Sequence, residues 1–137
     1  MAMAQSTPET SAAPLTIVST YALIGSAAEF SDAIKRLAAK VEAEGETGVL
    51  SYRFYVSEAE TTARAVIDYA SPAAWIGHHE IAMDWPEMAA LHRVARLDEV
   101  IFLGPYTPEI GAWLAKSSLT AKVHHGFNVA AGFSRRS

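Results

Sequence analysis

The residues best suited to chemistry lie in one stretch, GVLSYRFYVSEAETTARAVIDYASPAAWIGHH, from Gly48 to His79. Imidazole titrates near neutral pH, so His78 or His79 fits the role of a general base. Asp68, just upstream of the segment bearing both histidines, is a candidate to orient an imidazole or to accept a proton. Trp75 precedes His78 by three residues and His79 by four, spacings that share one helical face, so an indole wall and an imidazole can meet one flat ligand. Tyr52, Tyr69, Trp85 and His92 are candidate lining residues for the same pocket. The bland reading stands beside this one. A Trp-x-x-His pair also suits a packed core, Asp68 a cap or ion pair, and Tyr52 a buried strand position.

Several other chemistries lack their residues. The chain has no cysteine, which removes disulfides, thiolate metal sites and thiol nucleophiles. His78 and His79 are adjacent and diverge by about 100° around a helix, while His124 and His125 alternate across a strand, so neither pair is arranged to share a metal ion. No G-x-S-x-G elbow, P-loop or G-x-G-x-x-G fingerprint occurs.

The elements that must position these groups follow from periodicity. Leu15 to Leu23 is β-branched and aromatic, with Leu15, Ile17, Tyr21 and Leu23 on one side and Ser19 interrupting that side. Ser26 and Glu29 form a capping box, and Phe30, Ile34, Leu37 and Val41 recur as the stripe of an amphipathic helix that Gly45 ends in a left-handed stop. Val49 to Ser57 and Thr62 to Ala70 read as an antiparallel hairpin across the acidic turn EAET. In the first strand of that pair Leu50, Tyr52, Phe54 and Val56 share a face opposite Arg53 and Tyr55; in the second, Ala63, Ala65, Ile67 and Tyr69 oppose Arg64, Val66 and Asp68.

Ser71 and Pro72 open the helix carrying the histidines, and Asp84, Pro86 and Glu87 start another that runs to about His92. Arg96 to Leu103 is a fourth strand closed by Gly104-Pro105, Thr107-Pro108 caps a short helix through Trp113 and Leu114, and Lys122 to Ala130 is a strand or arm. The order β-α-β-β-α-β is the α+β, ferredoxin-like plan. Residues 1–13 read as a disordered leader, 14–116 as the folded domain and 117–137 as a C-terminal arm.

Composition sets the class. With 137 residues, 50% of them hydrophobic and 19% charged, the chain suits a single globular domain with a sizeable core. A net charge of −4 with scattered lysines and arginines disfavours nucleic acid and anionic lipid as partners. No stretch approaches the roughly 18 apolar residues that span a bilayer, and the start of the chain lacks the pattern of a secretory signal, so a cytoplasmic protein is expected.

Gly48, Leu50 and Tyr52 in G-x-L-x-Y, the Asp68-Tyr69 pair, Ser71, Ala73, Ala74 and His78 in S-x-A-A-x-x-x-H, and the closing Phe102-Leu103-Gly104-Pro105 together resemble the antibiotic-biosynthesis monooxygenase family over roughly Leu15 to Trp113. The resemblance implies a homodimer in which two four-stranded antiparallel sheets face each other as a dimeric α+β barrel, each subunit holding a pocket between sheet and helices, with the arm crossing to the partner. A sheet with helices on one face leaves Val66 and Tyr55 in need of cover, which agrees with dimerisation. Members of this kind oxidise electron-rich phenols, anthrones or quinols with molecular oxygen and neither metal nor flavin, so the resemblance implies a cofactor-independent monooxygenase acting on a small aromatic, quinol or polyketide-like substrate. His78, His79 and Asp68 would be catalytic, and Tyr52, Tyr69, Trp75, Trp85 and His92 would bind substrate. Haem-degrading relatives carry an Asn on the first strand where this chain has Ser19 and Thr20, which argues against haem. An oxygen-independent isomerase or cyclase, or a non-catalytic binder of small ligands, is the alternative on the same fold.

Overall fold

A computed structural model describes residues 13–135; apart from Ala13, the expected leader lies outside the described residues. The elements run β1 (Leu15–Leu23), α1 (Ala27–Glu44), β2 (Val49–Ser57), β3 (Thr62–Tyr69), α2 (Pro72–Ala82), α3 (Pro86–Val94), β4 (Ala95–Leu103), α4 (Pro108–Lys116) and β5 (Lys122–Phe127). They form one sheet in the order β2-β3-β1-β4-β5. The first four strands pair antiparallel, as the ferredoxin-like plan requires, whereas β5 lies parallel to β4. The expected four-stranded antiparallel sheet is therefore a mixed five-stranded one. The reason is the crossover: α4 carries the chain back along the sheet, so the next strand runs in the direction of β4. Part of the segment expected as an arm is thus an edge strand of the chain's own sheet.

Capping sets the helix starts. In α1 the side chain of Ser26 accepts from the Glu29 amide at 3.0 Å, and Glu29 Oε1 accepts from the Ser26 amide at 2.8 Å, the reciprocal pair expected of its S-x-x-E sequence. Ser71 caps α2 through the Ala74 amide and Thr107 caps α4 through the Ile110 amide, each followed by proline in the first turn. Gly45 corrects the sequence reading: its φ of −85° is extended, not left-handed. Glycine suits the site because a Cβ there would crowd the Val41 carbonyl.

The period of two divides the sheet into a helix-covered face and a bare one. Leu15, Ile17 and Tyr21 of β1, Ala63, Ala65, Ile67 and Tyr69 of β3, and Val100 and Phe102 of β4 are buried beneath the helices. Val18, Val66 and Ile101 pair across the other face, which no helix among the described residues covers. Two bulges break the alternation. Val49 pairs with Tyr69 and Ser51 with Asp68, so Leu50 is the extra residue, and it is 60% exposed instead of joining Tyr52 and Phe54. In β4 the register shifts opposite Thr20 and Tyr21, with Asp98 extra.

α2 rests on the sheet through small residues. A Cβ on Gly48 would fall inside van der Waals contact of the Ala74 Cβ, and Ala70 donates to the Gly48 carbonyl at 2.8 Å beneath the helix start. Gly48→Ala should destabilise the protein by about 1–3 kcal/mol, the cost of overpacking a filled contact. Adding Ala74→Gly should recover part of that loss, measured as urea midpoints of the two single variants and the double. Strict additivity would show that the two residues do not share this contact.

Candidate active site

Between α2, α3, α4 and the covered face of the sheet lies a cavity of about 380 Å³. That volume is within the range of small-molecule sites. Aromatic and aliphatic side chains dominate its wall, and its polar groups include Ser19 and Tyr21 from β1, Tyr52 from β2, Tyr69 from β3, and His78 and His79 from α2. β-strand alternation brings the first four to the floor, and helix geometry brings both imidazoles down from above.

The two histidines differ in what holds them. His79 Nδ1 lies 2.8 Å from the Trp75 carbonyl oxygen one turn earlier. A carbonyl only accepts, so Nδ1 carries the hydrogen and Nε2 is left with the lone pair. The ring is also set between two indoles, with centroids 4.3 Å from Trp75 and 5.4 Å from Trp113. Burial lowers the His79 pKa to about 4, although the bond to Trp75 acts in the opposite direction by favouring the protonated ring. His78 is only 2% exposed, and its Nδ1 has no hydrogen-bond partner among the described residues. Burial first, then the neighbouring His79, lowers its pKa to about 3. Both imidazoles are neutral at pH 7.

Tyr21, Tyr52 and Tyr69 have their pKa values raised above the ordinary phenol range, chiefly by burial and, for Tyr52 and Tyr69, further by tyrosine neighbours. They stay protonated, which keeps each a hydroxyl donor. The ring of Tyr52 meets His78 edge-on at 5.4 Å, and that of Tyr69 lies 6.0 Å from it. Acceptors for a substrate proton and donors for the oxyanion left behind therefore border one apolar chamber.

Of the residues singled out by sequence, Tyr52, Tyr69, Trp75, His78, His79 and His92 all border this cavity, with His92 at its exposed edge. Asp68 and Trp85 do not. Asp68 follows Ile67 and precedes Tyr69 on β3, so alternation sends it to the bare face, where Thr16 and Ser51 donate to it at 2.7 Å and Arg53 lies 3.7 Å away. The sheet stands between Asp68 and the imidazoles of α2. Trp85 precedes α3 and packs under Lys40, whose ammonium is 4.9 Å from the ring centroid; Met83 and Met88 face the cavity instead. Sequence reasoning missed Tyr21, Ser19 and Trp113 as lining residues. For the first two a signal existed: a serine and a tyrosine two apart on an inward strand face mark a face that meets something polar. Trp113 carried none, because the docking of α4 is tertiary. Among the described residues no three His, Asp or Glu side chains converge as a metal site, and no helix is long and apolar enough to cross a membrane.

No family model matches the chain, and no curated protein matches it. Solved structures share its fold. The cofactor-independent oxygenase SnoaB from Streptomyces nogalater superposes with a TM-score of 0.54 at 16% identity, covering 70% of this chain and 96% of its own. A candidate antibiotic biosynthesis monooxygenase from Caulobacter crescentus gives 0.54 at 24% identity over 71% of this chain and 93% of its own. MupZ from Pseudomonas fluorescens gives 0.63 at 14% identity over 97% of this chain and 96% of its own, so that alignment takes in nearly the whole length. The chain has the fold of antibiotic-biosynthesis monooxygenases.

The buried imidazoles link stability to pH. Above about pH 6.5 a histidine is neutral in folded and unfolded chains alike; below it the unfolded chain takes up protons that His78 and His79 in the fold refuse. Stability should therefore fall as pH drops from 6.5 towards 4, by up to about 1.4 kcal/mol per pH unit for each histidine. His78→Phe should flatten that limb, read from urea midpoints at pH 7.0, 6.0 and 5.0. An unchanged slope would mean that His78 titrates in the fold as it does in the unfolded chain.

Proposed function

We propose that this protein is a cofactor-independent monooxygenase acting on a small aromatic, quinol or polyketide-like substrate, with His79 as its base. One observation carries the reading: a neutral imidazole of defined tautomer and three un-ionised tyrosines border the same apolar cavity. The fold shared with a cofactor-independent oxygenase supports it.

His79 is the better base of the two. On accepting a proton at Nε2 it keeps its bond to Trp75, sits in the last turn of α2 near the negative end of the helix dipole, and lies 4.3 Å from the centroid of the Trp75 ring, whose π-system favours a nearby cation. His78, whose Nδ1 has no hydrogen-bond partner among the described residues, would bond the substrate. An imidazole held near pKa 4 is a weak base on its own. In a dry chamber, however, the imidazolium and the substrate anion form as an ion pair, and a tyrosine hydroxyl bonds the anion, so each charge stabilises the other. The carbanion or phenolate then gives one electron to oxygen, the radical pair combines to a peroxide that takes the proton back from His79, and loss of water from the hydroperoxide leaves a carbonyl where a CH₂, or the ring C–H para to a phenolate, stood. For a methylene carbon the balance is CH₂ plus O₂ to C=O plus H₂O.

The bare sheet face supports a homodimer. Val18, Val66 and Ile101 form its half-buried centre, with Tyr55 and Leu103 more exposed beside them. An uncovered apolar sheet face suits a second copy of the same surface. Wild type is expected to sediment as a dimer at micromolar concentration and Val66→Glu as a folded monomer; a monomeric wild type would overturn this arrangement.

Oxygen uptake with a panel of hydroquinones and anthrones tests the activity. His79→Ala should lower kcat by about 10²–10⁴-fold, the usual contribution of general-base catalysis. Tyr52→Phe should lower it less, because Tyr21 and Tyr69 still donate. Product formation at equal rates without oxygen would replace the monooxygenase with an isomerase or cyclase. Binding without turnover of any substrate would leave a ligand-sequestering protein.

A further inference from the structure

Ser19 is a buried polar residue that the proposed reaction does not use. It stands at the middle of β1 on the covered face of the sheet, two residues from Ile17 on one side and from Tyr21 on the other. Its cross-strand neighbours are Ala65 and Val100, and Phe54 lies beyond Ala65. None of these three side chains carries an oxygen or a nitrogen. Ser19 is only 6% exposed, borders the cavity, and its hydroxyl makes no hydrogen bond among the described residues. A buried hydroxyl in this state weakens a fold, and alanine would fill the same place without that cost.

The charge of the chamber narrows what could meet that hydroxyl. Its histidines are held neutral by burial, and the described residues that border it include no aspartate, glutamate or lysine. Arg96 is part of the wall, but its neighbours Ala95 and Leu97 pair with Leu23 and Tyr21 on the covered face. The Arg96 side chain therefore turns to the bare face, and its Nε donates to Asp98 at 2.7 Å. A carboxylate entering the chamber would meet no standing cation, and a desolvated charge without a partner is costly.

We propose that Ser19 determines specificity, and that the ligand is an uncharged aromatic carrying oxygens at two places. One oxygen lies at the imidazoles and tyrosines, and the other bonds the Ser19 hydroxyl on the floor. β1 is one strand from β3 and two from β2, so Ser19 is set roughly 5 Å across the sheet from the Tyr69 strand and roughly 10 Å from the Tyr52 strand. Its short side chain keeps the hydroxyl at the floor, whereas the imidazoles come from α2 above. A hydroxyl both donates and accepts, so it can serve a ligand carbonyl or a phenol. The inference rests on the cavity being the ligand site of the proposed function, and it adds a contact that sets how the substrate lies there.

The test uses 2-naphthol, the 1,6-, 2,6- and 2,7-dihydroxynaphthalenes, and 6-hydroxy-2-naphthoate. Binding is measured by calorimetry on the full chain at pH 7 under nitrogen, so that no oxidation competes. Wild type should bind at least one diol about three- to tenfold more tightly than 2-naphthol, the size of one neutral hydrogen bond. It should bind the naphthoate more weakly than 2-naphthol. Ser19→Ala should bring the preferred diol down to the affinity of 2-naphthol, while its urea midpoint equals or exceeds that of wild type because no bond within the protein is lost. A wild type that prefers no diol, a preference that survives Ser19→Ala, or a preference lost together with a fall in the midpoint overturns the role of Ser19 and leaves the proposed function standing. Naphthoate bound more tightly than every naphthol overturns the uncharged ligand. Failure to bind the whole panel overturns both the inference and the function. Oxygen uptake that fails although a diol is bound through Ser19 overturns only the oxygenase.

Discussion

The seating of α2 on the β2–β3 edge decides the rest of the site. Gly48 has no side chain, so Ala74 can close on the strand, and Ser71 and Pro72 set the direction in which the helix leaves β3. From that seat the helix turns Trp75, His78 and His79 over the sheet floor. A helix standing further off by one methyl group would lift both imidazoles away from Tyr52 and Tyr69. The contact is small in area, and it acts through geometry more than through energy.

Burial then does the electrostatic work. Desolvation pushes imidazole and phenol in opposite directions on the pH scale, yet in both cases it favours the uncharged form. The α2 imidazoles and the three tyrosines are thereby neutral acceptors and neutral donors at pH 7. The Nδ1 of His78, without a partner among the described residues, is the cost of this burial, since a buried nitrogen left unpaired weakens a fold. Groups of this kind are commonly retained at sites where binding requires them.

The sheet separates two sets of side chains by their alternation. One face holds the cavity floor, and the other holds Val18, Val66 and Ile101 with Asp68 among its hydroxyl partners. Asp68 and Tyr69 are neighbours in the chain and lie on opposite sides of the sheet. The bulges at Leu50 and Asp98 alter this alternation locally. The first turns Leu50 outward, and the second lets Leu97 stay with Tyr21 while the Asp98 carboxylate accepts from Arg96 Nε.

Local physics in the sequence determined much of this. The capping box of Ser26 and Glu29, the serine-proline start of α2, the hairpin and the inward faces of β1 and β3 all depend on residues within a few positions of one another, and each is as the pattern requires. The same locality placed Trp75, His78 and His79 on one side of a helix. What the pattern could not contain was anything set by residues distant in the chain. The bulge that expels Leu50 depends on pairing with β3, the fifth strand on where α4 docks, and the loss of Trp85 from the pocket on Lys40 of α1 lying across its ring. Only the tertiary structure joined Tyr21 and Ser19 to the imidazoles and set Asp68 apart from them, because which side of a sheet the helices cover is decided by packing between elements.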